Sequence, residues 1–178
     1  YTGLDTHAPF LNWGGEIYGI SENCNFVHGD AMKLPFKDKS FEITIVNLFH
    51  FFENIELALK ESMRVTKKHI IWRTPIGEVN YIVKLIYEDS FQKLGTITHD
   101  RNDIEYSLYQ LFSKNYIEGL IKHLGAKITF FERDLDFEPF DNNLVEGFEK
   151  VPATKTVGKM QINGNLVLDW HYVAIDCS

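Results

Sequence analysis

The sequence predicts an α/β fold, a single domain built on a mostly parallel sheet. Three observations carry that reading. Phe41 to Phe49 is a nearly continuous apolar run, as expected of a central parallel strand buried on both faces. Asn54 to Lys67 has the apolar spacing of a helix, and His69 to Pro75 follows as a strand, so strand, helix and strand alternate. The length of 178 residues, with 44% hydrophobic and 24% charged content, suits one domain with a sizeable core.

Each element can be justified in turn. Tyr1-Thr-Gly-Leu-Asp5 reads as a strand ending in an acidic residue, and Pro9 to Trp13 as a helix that Gly14-Gly15 ends or interrupts. Cys24 to His28 is a short strand stopped by Gly29-Asp30. Leu34-Pro35-Phe36 is an apolar plug, because Pro35 cannot continue a ladder. Lys37 to Ser40 is a polar turn. Asn54 is the expected N-cap of the following helix. That helix turns Ile55, Leu59, Met63 and Val65 inward and Glu56, Lys60, Glu61 and Lys67 to water. Pro75 should end the next strand. Val79, Ile82, Val83, Ile86 and Tyr87 have helical spacing, and Gly95 to Asp100 is a loop. Leu108 to Phe112 is extended. Ser113 should cap a helix over 114–124, with Gly125 as its stop. Lys127 to Arg133 is a strand, and Glu132 to Glu138 with Asp141 an acidic, solvated rim. Met160 to Leu168 reads as a hairpin about Asn163-Gly164, with Leu166 to Ile175 as the last strand, antiparallel to the strand Lys127 to Arg133.

Composition excludes several classes. A net charge of −7 and a pI of about 5.5 argue against a general nucleic-acid binder, which needs clustered Lys and Arg. No apolar run approaches the ~20 residues of a membrane span. The opening residues lack the basic-then-apolar pattern of a signal peptide. Cys24 and Cys177 form no disulfide framework and have no metal-type spacing, so they are expected to be free thiols in a reducing, cytoplasmic setting. No metal site is expected.

Gly29-Asp30-Ala31, Leu34-Pro35-Phe36, Asp38 and Ser40-Phe41-Glu42 together resemble the junction of the third and fourth strands in class I S-adenosylmethionine-dependent methyltransferases of the small-molecule type. Glu42 stands where that family has Asp. Ala58 to Val65 is similar to the family's AL-x-E-x-x-RV helix, and Leu120 to Ile128 to its penultimate element. The resemblance implies a Rossmann-like sheet, mostly parallel with an antiparallel last strand. It also implies that the family's first strand and glycine-rich loop belong upstream of Tyr1. Residues 1–178 are therefore expected to be one methyltransferase domain, truncated at the N-terminus, with the first strand missing from mid-sheet.

The same resemblance implies S-adenosylmethionine as cofactor. Asp5, with Thr6, would take the ribose hydroxyls, since an acid at a strand's carboxyl end can accept from both; the same pair could instead cap the next helix. Gly29, Asp30 and Ala31 would lie beside the adenine, although Asp30 also reads as a turn residue bonding its own backbone. Asn47 would touch the methionine end. His50 is the candidate catalytic residue, an imidazole able to take a proton from the acceptor; among Phe and Leu neighbours it also reads as packed core. The family's own histidine stands about two places later, where this chain has Phe52. Residues 76–107 read as a substrate-covering insertion or a homodimer surface, and Arg73, Tyr81, His99, Arg101 and Tyr106 as acceptor contacts.

The expected function is methyl transfer to a small-molecule acceptor, with no nucleic-acid or membrane partner. One rival is a non-catalytic relative that binds a partner or senses the cofactor. Another is a nicotinamide-dependent oxidoreductase, since Asp5 would also suit that cofactor's ribose.

Overall fold

The computed structural model describes residues 1–47, 49–86, 106–135, 155–157, 160–163 and 166–178. Strand β1 (Thr2–Asp5) leads through helix α1 (Ala8–Tyr18) to β2 (Asn25–His28), and the two strands pair in parallel with Asp5 opposite His28. The double glycine does not stop α1, contrary to the sequence expectation. A Cβ on Gly14 would stand 2.6 Å from the Phe26 ring, and one on Gly3 would stand 2.8 Å from it. Glycine is there so that helix and strand can close on either side of that ring.

A second strand-helix-strand unit follows. β3 (Phe41–Val46) and β4 (Thr66–Gly77) are parallel and joined through a 3₁₀ turn, Phe49–Phe51, and helix α2 (Ile55–Val65). Asn54 caps α2 as expected: its side chain accepts the Leu57 N–H at 3.0 Å. β5 (Tyr81–Ile86) and β6 (Tyr106–Ser113) form an antiparallel pair, and β6 meets the end of β4 in parallel. Ser113 Oγ accepts from Tyr116 N–H and so caps helix α3 (Lys114–His123); Gly125 follows at φ +78. β7 (Lys127–Arg133), β8 (Lys155–Val157), β9 (Met160–Asn163) and β10 (Leu166–Asp176) complete the described chain. The larger sheet runs β5-β6-β4-β10-β9-β8, with β3 also on β4 and β7 also on β10.

The α/β class and the antiparallel last strand stand, but the sheet is not mostly parallel. Among the described residues three pairings are parallel, β1–β2, β3–β4 and β4–β6. Five are antiparallel, β4–β10, β7–β10, β9–β10, β5–β6 and β8–β9. The second half of the chain doubles back in hairpins, where direct antiparallel pairing needs no crossover helix. The helical spacing from Val79 was misleading: Tyr81 to Ile86 is a strand, for it pairs antiparallel with β6 along its length. β4 runs through Pro75, which pairs with Trp170 and needs no N–H on that side. Asn163 is the last residue of β9, paired with Leu166, and the two residues between them lie outside the described set. So do Tyr87, Gly95 to Asp100 and Asp141.

Helices α2 and α3 pack on one face of the larger sheet. Ala58, Leu59, Ile117 and Ile121 meet Ile70 and Trp72 of β4 and Val173 and Ile175 of β10 there. β3 is not buried on both faces. Val46 packs on that core, but Ile43 and Ile45, which alternate with it, point away and are exposed.

Candidate active site

The cofactor candidates divide between two places. At the carboxyl ends of β1 and β2, Asp5, Thr6, Gly29, Asp30 and Ala31 come together. Gly29 N–H donates to the Asp5 carbonyl at 3.1 Å, and the His28 ring, through Nε2, sits 3.0 Å from the Thr6 carbonyl. His28 escaped the sequence reading, because nothing in its local pattern marks a cross-strand contact. Asp5 Oδ1 accepts the His7 N–H at 2.7 Å, and Asp30 Oδ1 accepts the Met32 N–H at 2.8 Å. Asp30 therefore has its local turn role, whereas neither Asp5 nor Thr6 caps α1, whose N-cap is His7 with no side-chain hydrogen bond. Each carboxylate's second oxygen has no hydrogen bond among the described residues, so an acceptor remains for a diol or an amine. This donor set fits an adenosine group. A Cβ on Gly29 would meet Leu4 at 2.9 Å and Pro35 at 3.3 Å, so glycine is what lets the loop turn so close to β1.

Asn47 and His50 belong to the other sheet. Strand β3 ends at Val46, so Asn47 is the exposed residue that follows it, and the turn Phe49–Phe51 then buries His50. Among the described residues no hydrogen bond joins these two to the first group.

His50 is 2% exposed, and its Nδ1 has no hydrogen-bond partner among the described residues. Its ring lies 4.2 Å from that of Phe51, 4.8 Å from Tyr109 and 5.4 Å from Trp170. Burial, and secondly the charge of Arg73, lower its pKa from 6.5 to about 4, so the imidazole is neutral at pH 7. Burial also pushes the Tyr109 phenol up to about 12, against a smaller opposing effect of Arg73. Gln110 Nε2 donates to the Phe52 carbonyl and holds the turn against β6.

Arg73 donates from Nε to Asp134 Oδ2 at 2.7 Å, and its guanidinium lies 4.2 Å from the centre of the Trp170 ring. Asp134 is 5% exposed, not part of a solvated rim. Local composition misled the reading, since the ion pair joins residues 61 positions apart. The other acceptor candidates scatter. Tyr81 is exposed on β5, Tyr106 lies under Lys84, and His99 and Arg101 fall outside the described residues. Among those described, no group of His, Cys, Asp and Glu is placed to hold a metal ion. The shallow groove lined by Glu118, Ile121 and Ile128 lies at the start of β7, the opposite end of the sheet from these residues.

Two strand-helix-strand crossovers, with Asp5 at the carboxyl end of β1 and Asp30 just beyond β2, make this an α/β protein with parallel pairs in its first half. The methyltransferase-domain family matches residues 1–70. A demethylmenaquinone methyltransferase of Staphylococcus aureus is 43% identical over 67 residues, 37% of this chain and 28% of that protein. The chain thus spans little more than a quarter of that relative. Among solved structures, a methyltransferase of Methanosarcina mazei aligns with a TM-score of 0.59 at 11% identity, over 98% of this chain and 80% of its own. The 1,6-didemethyltoxoflavin-N1-methyltransferase of Burkholderia thailandensis, solved with 1,6-didemethyltoxoflavin and S-adenosylhomocysteine, aligns with a TM-score of 0.58 at 9% identity, over 98% of this chain and 60% of its own. These structures share the fold, and the sequence match shares the motifs. Residues 1–70 thus match the methyltransferase-domain family, and the chain shares its fold with solved S-adenosylmethionine-dependent methyltransferases.

Proposed function

We propose that this protein transfers a methyl group from S-adenosylmethionine to a small-molecule acceptor. The observation that carries the reading is the pair Asp5 and Asp30, at the ends of adjacent parallel strands, each with one carboxylate oxygen unused within the family-matched residues. Asp5, with Thr6, takes the ribose hydroxyls; Gly29, Asp30 and Ala31 border the adenine; Asn47 meets the methionine end. The cofactor supplies a methyl group already activated by sulfonium charge, so the protein's work is alignment in a dry site. The acceptor atom forms its bond to the methyl carbon as the carbon–sulfur bond breaks, and that electron pair stays on sulfur.

His50 is the proton acceptor in this reading. Its imidazole is neutral at pH 7 and its Nδ1 has no hydrogen-bond partner among the described residues. A small acceptor is supported by the names of the relatives, one for demethylmenaquinone and one holding 1,6-didemethyltoxoflavin. Among the acceptor-contact candidates, Arg73, Tyr81 and Tyr106 are described. The two free cysteines suit a cytoplasmic protein, and no described helix is long and apolar enough to cross a membrane.

The test is a calorimetric titration of the natural polypeptide that contains this chain with S-adenosylmethionine. Asp5→Ala should weaken binding at least about tenfold, or ~1.4 kcal/mol. A polypeptide that binds no cofactor at all would point instead to a non-catalytic relative that binds a partner.

A further inference from the structure

The ion pair with Asp134 does not use up Arg73. Val46, the last residue of β3, stands opposite Trp72, so Arg73 is the first residue of β4 beyond the end of β3. From that same end the chain passes through Asn47 to the turn that holds His50. Trp72 lies in the core beneath α2 and α3, and alternation along the strand carries the Arg73 side chain to the opposite face, over the Trp170 ring. Trp170 in turn meets His50 at a steep angle, 5.4 Å between ring centres, and its Nε1–H donates to Gln161 Oε1 at 2.8 Å. The guanidinium is thus aligned on a ring that is itself held in place, one ring away from the buried imidazole.

A guanidinium carries five N–H donors in a planar fork. Asp134 takes the one on Nε, and the two Nη atoms have no hydrogen bond among the described residues. The Asp134 side chain is enclosed, at 5% exposure, while that of Arg73 keeps 22%. Nor is the charge cancelled on the His50 side. Among the described residues Arg73 is the one charge that shifts His50 or Tyr109, and its effect on each is that of a cation. Burial keeps the Tyr109 phenol protonated, so no negative charge competes there. The neighbouring Arg133 is matched by Asp169. The free end of Arg73 is therefore a set of donors in a positive field, beside the imidazole already assigned to proton transfer.

We propose that the Nη donors of Arg73 hold an anionic oxygen of the methyl acceptor, so that the acceptor is an organic acid carrying a carboxylate or a phenolate. Hydrogen bonds from a guanidinium to such an oxygen are short and roughly twice as strong as those between neutral groups. An ammonium group in the same place would meet repulsion. Only the naming of this anion as the methyl acceptor rests on the methyl-transfer reading; its binding needs no turnover.

The experiment is a ligand-observed NMR titration of the natural polypeptide that contains this chain, with S-adenosylhomocysteine present. The probes are benzoate with its neutral counterpart benzamide, and 4-nitrophenolate with its neutral counterpart 4-nitroanisole. At least one anion should bind at least about tenfold more tightly than its neutral counterpart. The pair that shows the preference tells carboxylate from phenolate. Arg73→Gln should erase the preference, and Arg73→Lys should keep only part of it, since lysine has the charge without the fork. Equal binding within both pairs, no detectable binding of either anion, or a preference that survives in Arg73→Gln would overturn the proposal. Where a variant fails to fold, the wild type answers alone: the Arg73 Nε–H and Trp170 Nε1–H resonances should move with the preferred anion and stay with its neutral counterpart, and unmoved resonances would sink the idea. The two readings fail separately. S-adenosylmethionine binding without an anion preference leaves methyl transfer standing and removes the acid. An anion preference without S-adenosylmethionine binding keeps the anion site and removes methyl transfer.

Discussion

Arg64 donates five hydrogen bonds, two to Glu61, one to Asp38 and one each to the carbonyls of Leu34 and Phe36. Glu61 also accepts the Leu34 N–H at 2.9 Å. The family-like words around Leu34-Pro35-Phe36 and Glu61 to Val65 are thus two halves of one contact, in which the guanidinium fork ties the loop to α2. Glu61 is therefore not a simple water-facing residue. Its hydrogen bond with Arg64 holds its pKa below the ordinary 4.5, so its contribution is full above that pH and is lost as pH falls through the lower, folded-state value. Arg64→Ala should lower the calorimetric midpoint by several degrees, with Arg64→Lys restoring only part; an unchanged midpoint would mean that the loop is held by packing alone. His50 gives a second pH signature. Its folded pKa of about 4 lies below the ordinary 6.5, so in that window the unfolded chain binds the proton and the folded chain does not. Stability should fall as pH drops, by at most about 1.4 kcal/mol per unit. Urea midpoints measured from about pH 7 to about pH 5 should show the decline in wild type and a shallower one in His50→Leu.

At the scale of elements, caps and glycines decide boundaries that hydrophobic pattern alone leaves open. Asn54→Ala removes the acceptor for the Leu57 N–H and should cost about 1 kcal/mol in denaturant unfolding, with the m-value unchanged. α2 and α3 were legible because each carries a capping residue and an apolar stripe, though α2 ends at Val65, two residues before the expected Lys67. α1 was legible at its start, where Pro9 sits in the first turn. Its end was not, because what Gly14 does depends on Phe26, which lies on another element. β5 was misread as a helix because its apolar residues fit both periods over so short a run. Pairing with β6, from Tyr81 opposite Leu111 to Ile86 opposite Tyr106, settles it as a strand.

At the scale of the whole molecule, the described residues make two sheets, and the candidate site is divided between them. Asp5, Thr6, Gly29, Asp30 and Ala31 stand on the smaller sheet, Asn47 and His50 beside the larger. A ligand that touches both should stabilise them together. S-adenosylmethionine at ~100 times its Kd should raise the unfolding free energy of the natural polypeptide by about 2.7 kcal/mol, and Asp5→Ala should reduce that gain. A thermal midpoint that ignores the cofactor would count against any site spanning the two sheets.

By itself the sequence determined the α/β class, the crossovers of its first half, the caps of α2 and α3, and the acids at the strand ends. Those features are written in neighbouring residues, where periodicity and capping chemistry act over a few positions. Only the tertiary structure decided that most pairings among the described residues are antiparallel, that Asp134 is buried against Arg73, and that His50 is neutral and enclosed. Each of those depends on groups brought together from distant parts of the chain, and burial and charge are properties of such neighbourhoods, not of any short stretch of sequence.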